Sequence, residues 1–407
     1  MTAAPTGVPL ATPAVPRAVK GLSVVSLFND VASEMVYPLL PAFVTQSLGA
    51  GALALAVLDR AADLTAAAVK WASGRLADRP GWQRPLILFG YLTAVLIRPL
   101  ISVTGAAWQV IGFRVIDRLG KGLRTPPRDA LIARITTPSM RGRAFGFHRA
   151  ADHFGAVLGS VAAWFLLQAG TDVRQVIGWS LVPGVVAFAL LAVVLPRADE
   201  RKSRTAEEQL ARRLPDSPAA PAADATGRVF WAPVVALTAL TVLQLPEALL
   251  ILRLQDAGVA VVIVPLVWAA LHVVRSAGSY PGGWLADRLG AGRTVAMGGL
   301  LFAAVAVALA YAGGPPGAIA AFLAFGLVAA LMEAAERSLV AQLAPVRTGT
   351  GFGAYHALTG LAALPAGLVF GALYQRVGGP AALLGSAAGM LVAVLAWLAV
   401  APRRPAD

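Results

Sequence analysis

The chain contains no cysteine. Disulfides and thiolate metal sites are therefore excluded, and cysteine usage says nothing about the redox compartment. Charge is also scarce: 14% of 407 residues are charged, where a soluble domain carries about 25%. Lysine is nearly missing, with four residues against thirty arginines. No HExxH metal helix, no GxxxxGK[ST] phosphate loop and no serine nucleophile elbow occurs. These absences argue against a zinc hydrolase, a self-contained ATP-driven pump and a serine hydrolase. No catalytic residue, metal site or cofactor is expected.

What the chain has instead is apolar sequence, at 57% hydrophobic residues and a mean hydropathy of +0.70. The apolar residues fall in blocks of roughly 20 to 27, the length a helix needs to cross a bilayer core. The fold class is an all-α polytopic membrane protein. Twelve spans are expected, near 21–45, 51–73, 85–104, 107–133, 144–168, 175–195, 231–252, 258–281, 294–313, 316–340, 351–373 and 379–401. Residues 1–20 are Pro- and Ala-rich without a long apolar core, so they read as a disordered tail rather than a signal peptide. Residues 196–230 are charged and Pro/Ala-rich, which makes them a linker. It separates an N-terminal bundle, 21–195, from a C-terminal bundle, 231–401. Residues 402–407 are a second tail.

The net charge of +13 has a topological explanation, and nucleic acid is not expected as a partner. With the N-terminus placed in the cytoplasm, nineteen basic residues fall in segments on that side and three on the other. The positive-inside rule therefore puts both termini and the linker in the cytoplasm. Dominance of Arg, Ala, Gly and Val fits a GC-rich bacterial genome, so a bacterial inner membrane is the expected location.

A repeat strengthens the two-bundle reading. "SGRLADRPGWQR" at 73–84 matches "GGWLADRLGAGR" at 282–293 with a constant offset of 209. Gly74, Asp78, Arg79, Gly81 and Arg84 pair with Gly283, Asp287, Arg288, Gly290 and Arg293. A weaker echo links "GRAFG" at 142–146 with "GTGFG" at 349–353, at offset 207. Matching parts in matching halves imply parallel repeats about an axis along the membrane normal, one of the known transporter layouts.

The doubled G-x-L-A-D-R-x-G motif, the six-plus-six layout and the long linker resemble the major facilitator superfamily. The resemblance covers essentially the whole chain. It implies a secondary transporter working by alternating access between two pseudo-symmetric six-helix bundles. It also implies a gating role for the repeated motif. Physically, glycine permits close helix approach, an aspartate can face the positive N-terminus of another helix, and arginines such as Arg79 and Arg84 can grip carboxylates. "YPLLP" at 37–41 resembles a pattern of drug–proton antiporters. "HFGAVLGS" at 153–160 only partly resembles their Gly-rich motif, because Gly159–Ser160 stands where Gly-Pro is usual.

Charges inside the spans are the candidate site. "RVIDRLGKGLRTPPRDA" at 114–130 places Arg114, Asp117, Arg118, Lys121, Arg124 and Arg128 within an arc of about 120° on a helix. A charge at mid-bilayer costs about 2.5 to 3.5 kcal/mol, so this stripe must face water or partner charges. Pro126–Pro127 should kink or break the helix near its inner end. Arg114, Arg118, Lys121 and Asp117, with Tyr37, Arg149, Glu247, Arg275, Glu333 and His356, are the candidate substrate and cavity residues. Asp30, Glu34, Asp59, Asp63, Asp152, His148 and His153 are candidates for carrying protons. Asp30 and Glu34 lead, since they lie one turn apart on one face. Each such residue could equally be one half of a structural ion pair between helices.

The expected function is proton-coupled movement of a small solute with an anionic group, in the direction of export, by a monomer embedded in the lipid bilayer. A multidrug–proton antiporter is the alternative within this class. A non-transporting membrane sensor or enzyme is the alternative outside it.

Overall fold

The computed structural model describes residues 15–40, 43–49, 52–195, 228–260, 263–344 and 346–401. The described residues are helical and contain no strand. The 1–14 part of the first tail, the 196–227 part of the linker and the last tail lie outside the described residues.

Fourteen α-helices run through the described residues. The first seven are α1 (Arg17–Val36), α2 (Ala52–Ala77), α3 (Gln83–Leu100), α4 (Ala107–Arg134), α5 (Arg141–Gln168), α6 (Val173–Trp179) and α7 (Leu181–Val194). The second seven are α8 (Arg228–Val242), α9 (Glu247–Asp256), α10 (Val264–Leu289), α11 (Ala291–Ala310), α12 (Pro315–Leu343), α13 (Thr348–Val377) and α14 (Gly379–Val400). Seven helical stretches among them are long and apolar enough to cross a membrane. Helices α1, α2, α4 and α10 fall outside that set, and α1, α2 and α4 carry the intramembrane charges that lower their hydropathy.

Packing sorts the helices into two groups. In the first, α1 lies on α5 and α7, and α4 lies on α2 and α3. In the second, α12 lies on α10 and α11, and α14 lies on α11 and α8. The groups meet along two seams, α5 against α10 and α2 against α13. The turns of the repeated motif mark one end of both groups, where Gly81 and Gly290 adopt φ of 80° and 92°. Only glycine enters this left-handed region without strain, which accounts for both positions.

The two prolines of α4 do not break it. The helix runs from Ala107 through Pro126 and Pro127 to Arg134. A proline removes the N–H that the carbonyl four residues earlier would accept. For Pro126 that carbonyl is Gly122 O, and Ser73 Oγ of α2 donates to it at 2.7 Å. Gln83 Nε2 donates to Pro127 O at 2.8 Å. A neighbouring helix thus replaces the bond that the backbone gives up.

Candidate functional site

At the motif end, each aspartate of the repeat clasps the start of a helix in the other group. Asp78, at the end of α2, accepts from Gly349 N at 2.7 Å and Thr350 N at 2.6 Å, the first turn of α13. Asp287, at the end of α10, accepts from Gly142 N at 2.7 Å and Arg143 N at 3.0 Å, the first turn of α5. Free N–H groups and the helix dipole make such a turn a natural carboxylate site. The guanidinium that joins the second clasp is that of Arg143, whose Nε lies 2.9 Å from Asp287 Oδ2. Sequence spacing pointed to Arg79 and Arg84. Arg79 is exposed instead, Arg84 Nε has no partner among the described residues, and Arg288 packs over the Trp284 ring. The glycines of the repeat let the helices come this close. A Cβ on Gly283 would strike Gly142 O, and one on Gly74 would strike Gly349 O.

Arg143→Ala is expected to weaken the second clasp less than Asp287→Ala, because the two backbone donors remain. One charge-assisted bond is worth about 1.5–3 kcal/mol. Thiol labelling of a Ser279→Cys reporter, at a buried position on the α5–α10 seam, would measure the difference. Equal labelling in the two variants would contradict the assignment.

Beyond the clasps, the seam is aromatic and then ionic. The rings of Phe145 and Phe352 meet with centroids 5.8 Å apart. Asp129 of α4, fully buried, pairs with Arg128 Nη2 at 2.9 Å and with His356 Nε2 of α13 at 3.0 Å. Arg337 Nε of α12 lies 3.7 Å from the same carboxylate. Arg149 of α5 pairs with Asp152 Oδ2 at 2.9 Å and also with Glu333 of α12. Deeper still, His153 Nδ1 lies 3.2 Å from His272 Nδ1 of α10, and His153 Nε2 lies 3.5 Å from Glu333 Oε2. Buried and half-buried ion pairs therefore cross from one helix group to the other at several depths.

Other candidates are held within one group. His148 Nδ1 lies 3.3 Å from Ser23 Oγ and His148 Nε2 3.8 Å from Asp152 Oδ1. Asp30 Oδ1 accepts from Asn29 Nδ2 at 2.9 Å. Glu34 sits half-buried where Gly159 brings α5 against α1. Glu247 and Arg275 pair at 2.5 Å, with Glu247 exposed. Asp117 joins Arg98 and Arg114, and the Arg114 guanidinium lies over the Tyr37 ring. Lys121 is exposed and Arg118 half-buried. The side chains of Asp59 and Asp63 lie outside the described residues. Arg124 is drawn out of the stripe: its Nη1 donates to Gly90 O at 2.9 Å and it stacks on Tyr91.

Sequence reasoning missed Arg98 and Asn29. Arg98 Nη1 donates to Asn29 O at 2.8 Å and to Asn29 Oδ1 at 3.1 Å. The signal was present in "AVLIRPL", a lone arginine in an otherwise apolar span. It also missed Arg143, which the loop count treated only as a topology marker.

The family model of the Major Facilitator Superfamily matches residues 22–364 and 250–407. The chain belongs to that superfamily. It is accordingly a multi-pass membrane transporter and not an enzyme. An uncharacterized MFS-type transporter of Methanocaldococcus jannaschii is 26% identical over 363 residues, covering 87% of each chain. An uncharacterized protein of Mycobacterium tuberculosis is 30% identical over 367 residues, covering 88% of this chain and 87% of its own. The multidrug resistance protein MdtH of Cronobacter sakazakii is 32% identical over 162 residues, 40% of each chain. Among solved structures, the human organic anion transporter MFSD10 superposes with a TM-score of 0.72 at 16% identity, covering 95% of this chain and all of that one. The Escherichia coli fucose:proton symporter FucP gives 0.69 at 15% identity, covering 95% and 98%.

Proposed function

We propose that this superfamily member is a proton-coupled secondary transporter that exports a small solute with an anionic group across the bacterial cytoplasmic membrane. It works as a monomer by alternating access. The observation that carries the reading is the set of buried and half-buried ion pairs that link α4 and α5 of the first group to α12 and α13 of the second. Asp129 with His356 and Arg337, and Arg149 with Glu333, join the halves where protonation of a carboxylate or histidine would change their attraction. Cation excess in α4 supports the anionic solute: Arg118 and Lys121 lie on one face, with Lys121 open to solvent. The positive-inside count supports a cytoplasmic position for the clasps.

Arg118→Ala is expected to cut flux driven by a pH gradient in proteoliposomes at least about tenfold, with membrane expression intact. Wild-type flux in that variant would remove Arg118 from the site. Flux indifferent to the gradient would remove the proton from the scheme.

The relation to MdtH favours a second reading, a multidrug–proton antiporter, over the 40% of the chain that it covers. A resistance panel in a pump-deleted host separates the two. Protection against several chemically unrelated cationic or neutral drugs would favour the second.

A further inference from the structure

Arg98 and Arg114 share one carboxylate. Arg98 Nε lies 2.9 Å from Asp117 Oδ1, and Arg114 Nη1 lies 3.4 Å from Asp117 Oδ2. The trio keeps one positive charge in surplus. Arg98 completes its bonding on Asn29. Arg114 does not: its Nε and Nη2 are buried and have no partner among the described residues. The side chain is only 4% exposed. Buried unmatched donors on a cation cost stability, and an ion pair kept for packing alone would leave no such surplus.

The geometry of the unmatched donors is specific. Nε–H and one N–H of Nη2 point the same way along one edge of the planar guanidinium. That edge accepts two oxygens side-on. The Tyr37 ring covers one face of the group, with its centroid 4.9 Å from Cζ. Arg118, one turn further on, also has a buried Nε without a partner among the described residues. Lys121, on the same helix face, is exposed.

We propose that Arg114 is a docking fork for a two-oxygen anionic group, a carboxylate or a phosphate-type group, gripped by Nε and Nη2 beside Tyr37 and Arg118. This rests on the anionic-solute reading above and deepens it. It names the gripping edge and requires an anion with two oxygens on one side, where charge alone is insufficient. Arg98, Asn29 and Asp117 act as positioning residues that fix the fork.

The test uses the purified full chain in neutral detergent, with thermal stabilisation as the binding readout. The probes are benzoate and inorganic phosphate, with bromide as a one-point anion and benzamide as a neutral isostere. Benzoate, phosphate or both are expected to stabilise the protein, and bromide and benzamide at the same concentration are not. Arg114→Lys keeps the charge but loses the fork, and should weaken oxyanion binding by about tenfold or more. Stabilisation by bromide equal to that by the oxyanions overturns the fork without needing any variant. So does undiminished oxyanion binding in Arg114→Lys. If Arg118→Ala loses that binding while Arg114→Lys keeps it, the fork fails and the anionic-solute reading stands. If neither oxyanion stabilises the wild type, the fork fails. Flux of neutral or cationic solutes alone would then overturn the broader reading as well. Displacement of benzoate from the wild type by phosphatidylglycerol, and not by phosphatidylcholine, keeps the fork and assigns its occupant to an anionic lipid headgroup.

Discussion

Asp129→Ala is expected to cost about 3–5 kcal/mol of folding stability, because it strands a buried guanidinium. Asp129 is fully buried and holds Arg128 at 2.9 Å, while His356 and Arg337 approach it from the other helix group. Arg128 has little else to turn to. Its remaining bond is a long one, 3.4 Å to Ser26 Oγ. Thermal denaturation in detergent would measure the loss. The pair Arg128→Met with Asp129→Leu should recover much of the stability, since a buried ion pair replaced whole by apolar groups is often neutral. It should not recover transport, because the link to His356 is gone. A melting temperature for Asp129→Ala equal to that of the wild type would show that the network contributes nothing to the fold.

The second large effect concerns the seam itself. Gly283→Leu places a side chain where α10 meets Gly142 O of α5. A main-chain carbonyl in a helix cannot move aside, so the two helices must separate at the motif end. Overpacking of this kind costs about 1–3 kcal/mol. At the upper end, that shifts a two-state balance by roughly a hundredfold toward the arrangement in which this end is open. The absence of native cysteine makes the readout clean. A Ser279→Cys reporter, buried on this seam in the closed arrangement, should label much faster when Gly283→Leu is present, and transport should fall with it. Unchanged labelling would mean that the seam does not open.

The membrane fold was legible in the sequence because apolar block length is a global property that local error does not erase. The repeat at offset 209 was legible because the chemistry at each position is narrow: a glycine where backbones touch, a carboxylate where a helix begins. The partners of those carboxylates were not. Asp78 and Asp287 bind main-chain N–H groups 271 and 145 residues away, and a backbone donor leaves no residue type to recognise. That α4 runs unbroken through Pro126–Pro127 was not legible, because the compensating donor, Ser73, sits on another helix. Helical angle gathers the charges of α4 into one arc, but it could not separate Arg124, which turns to Gly90 and Tyr91, from Arg114, which turns to Tyr37. Arg98 escaped because a single charge has no periodicity.

The clasps divide their labour unequally between side chain and main chain, and that leaves a mark on how the two halves can drift apart. The anionic side must remain aspartate, and "LADR" is identical in both copies. The receiving side needs only a helix that starts there, with room for the approach. In "GRAFG" and "GTGFG" the retained positions are those with such a job. Gly142 and Gly349 receive the carboxylates, Phe145 and Phe352 meet across the pseudo-twofold axis, and Gly146 and Gly353 abut backbone of the opposite group. The position between the first glycine and the alanine or glycine that follows is arginine in one half and threonine in the other. Each supplies an extra side-chain bond to its aspartate, Arg143 Nε to Asp287 and Thr350 Oγ1 to Asp78. A lock whose positive jaw is peptide backbone carries no titratable group in that jaw, so a change in pH reaches it only through the aspartate. Outside the glycines and phenylalanines that fit the seam, such a lock leaves its two receiving sequences free to diverge while the mechanism they serve stays symmetric.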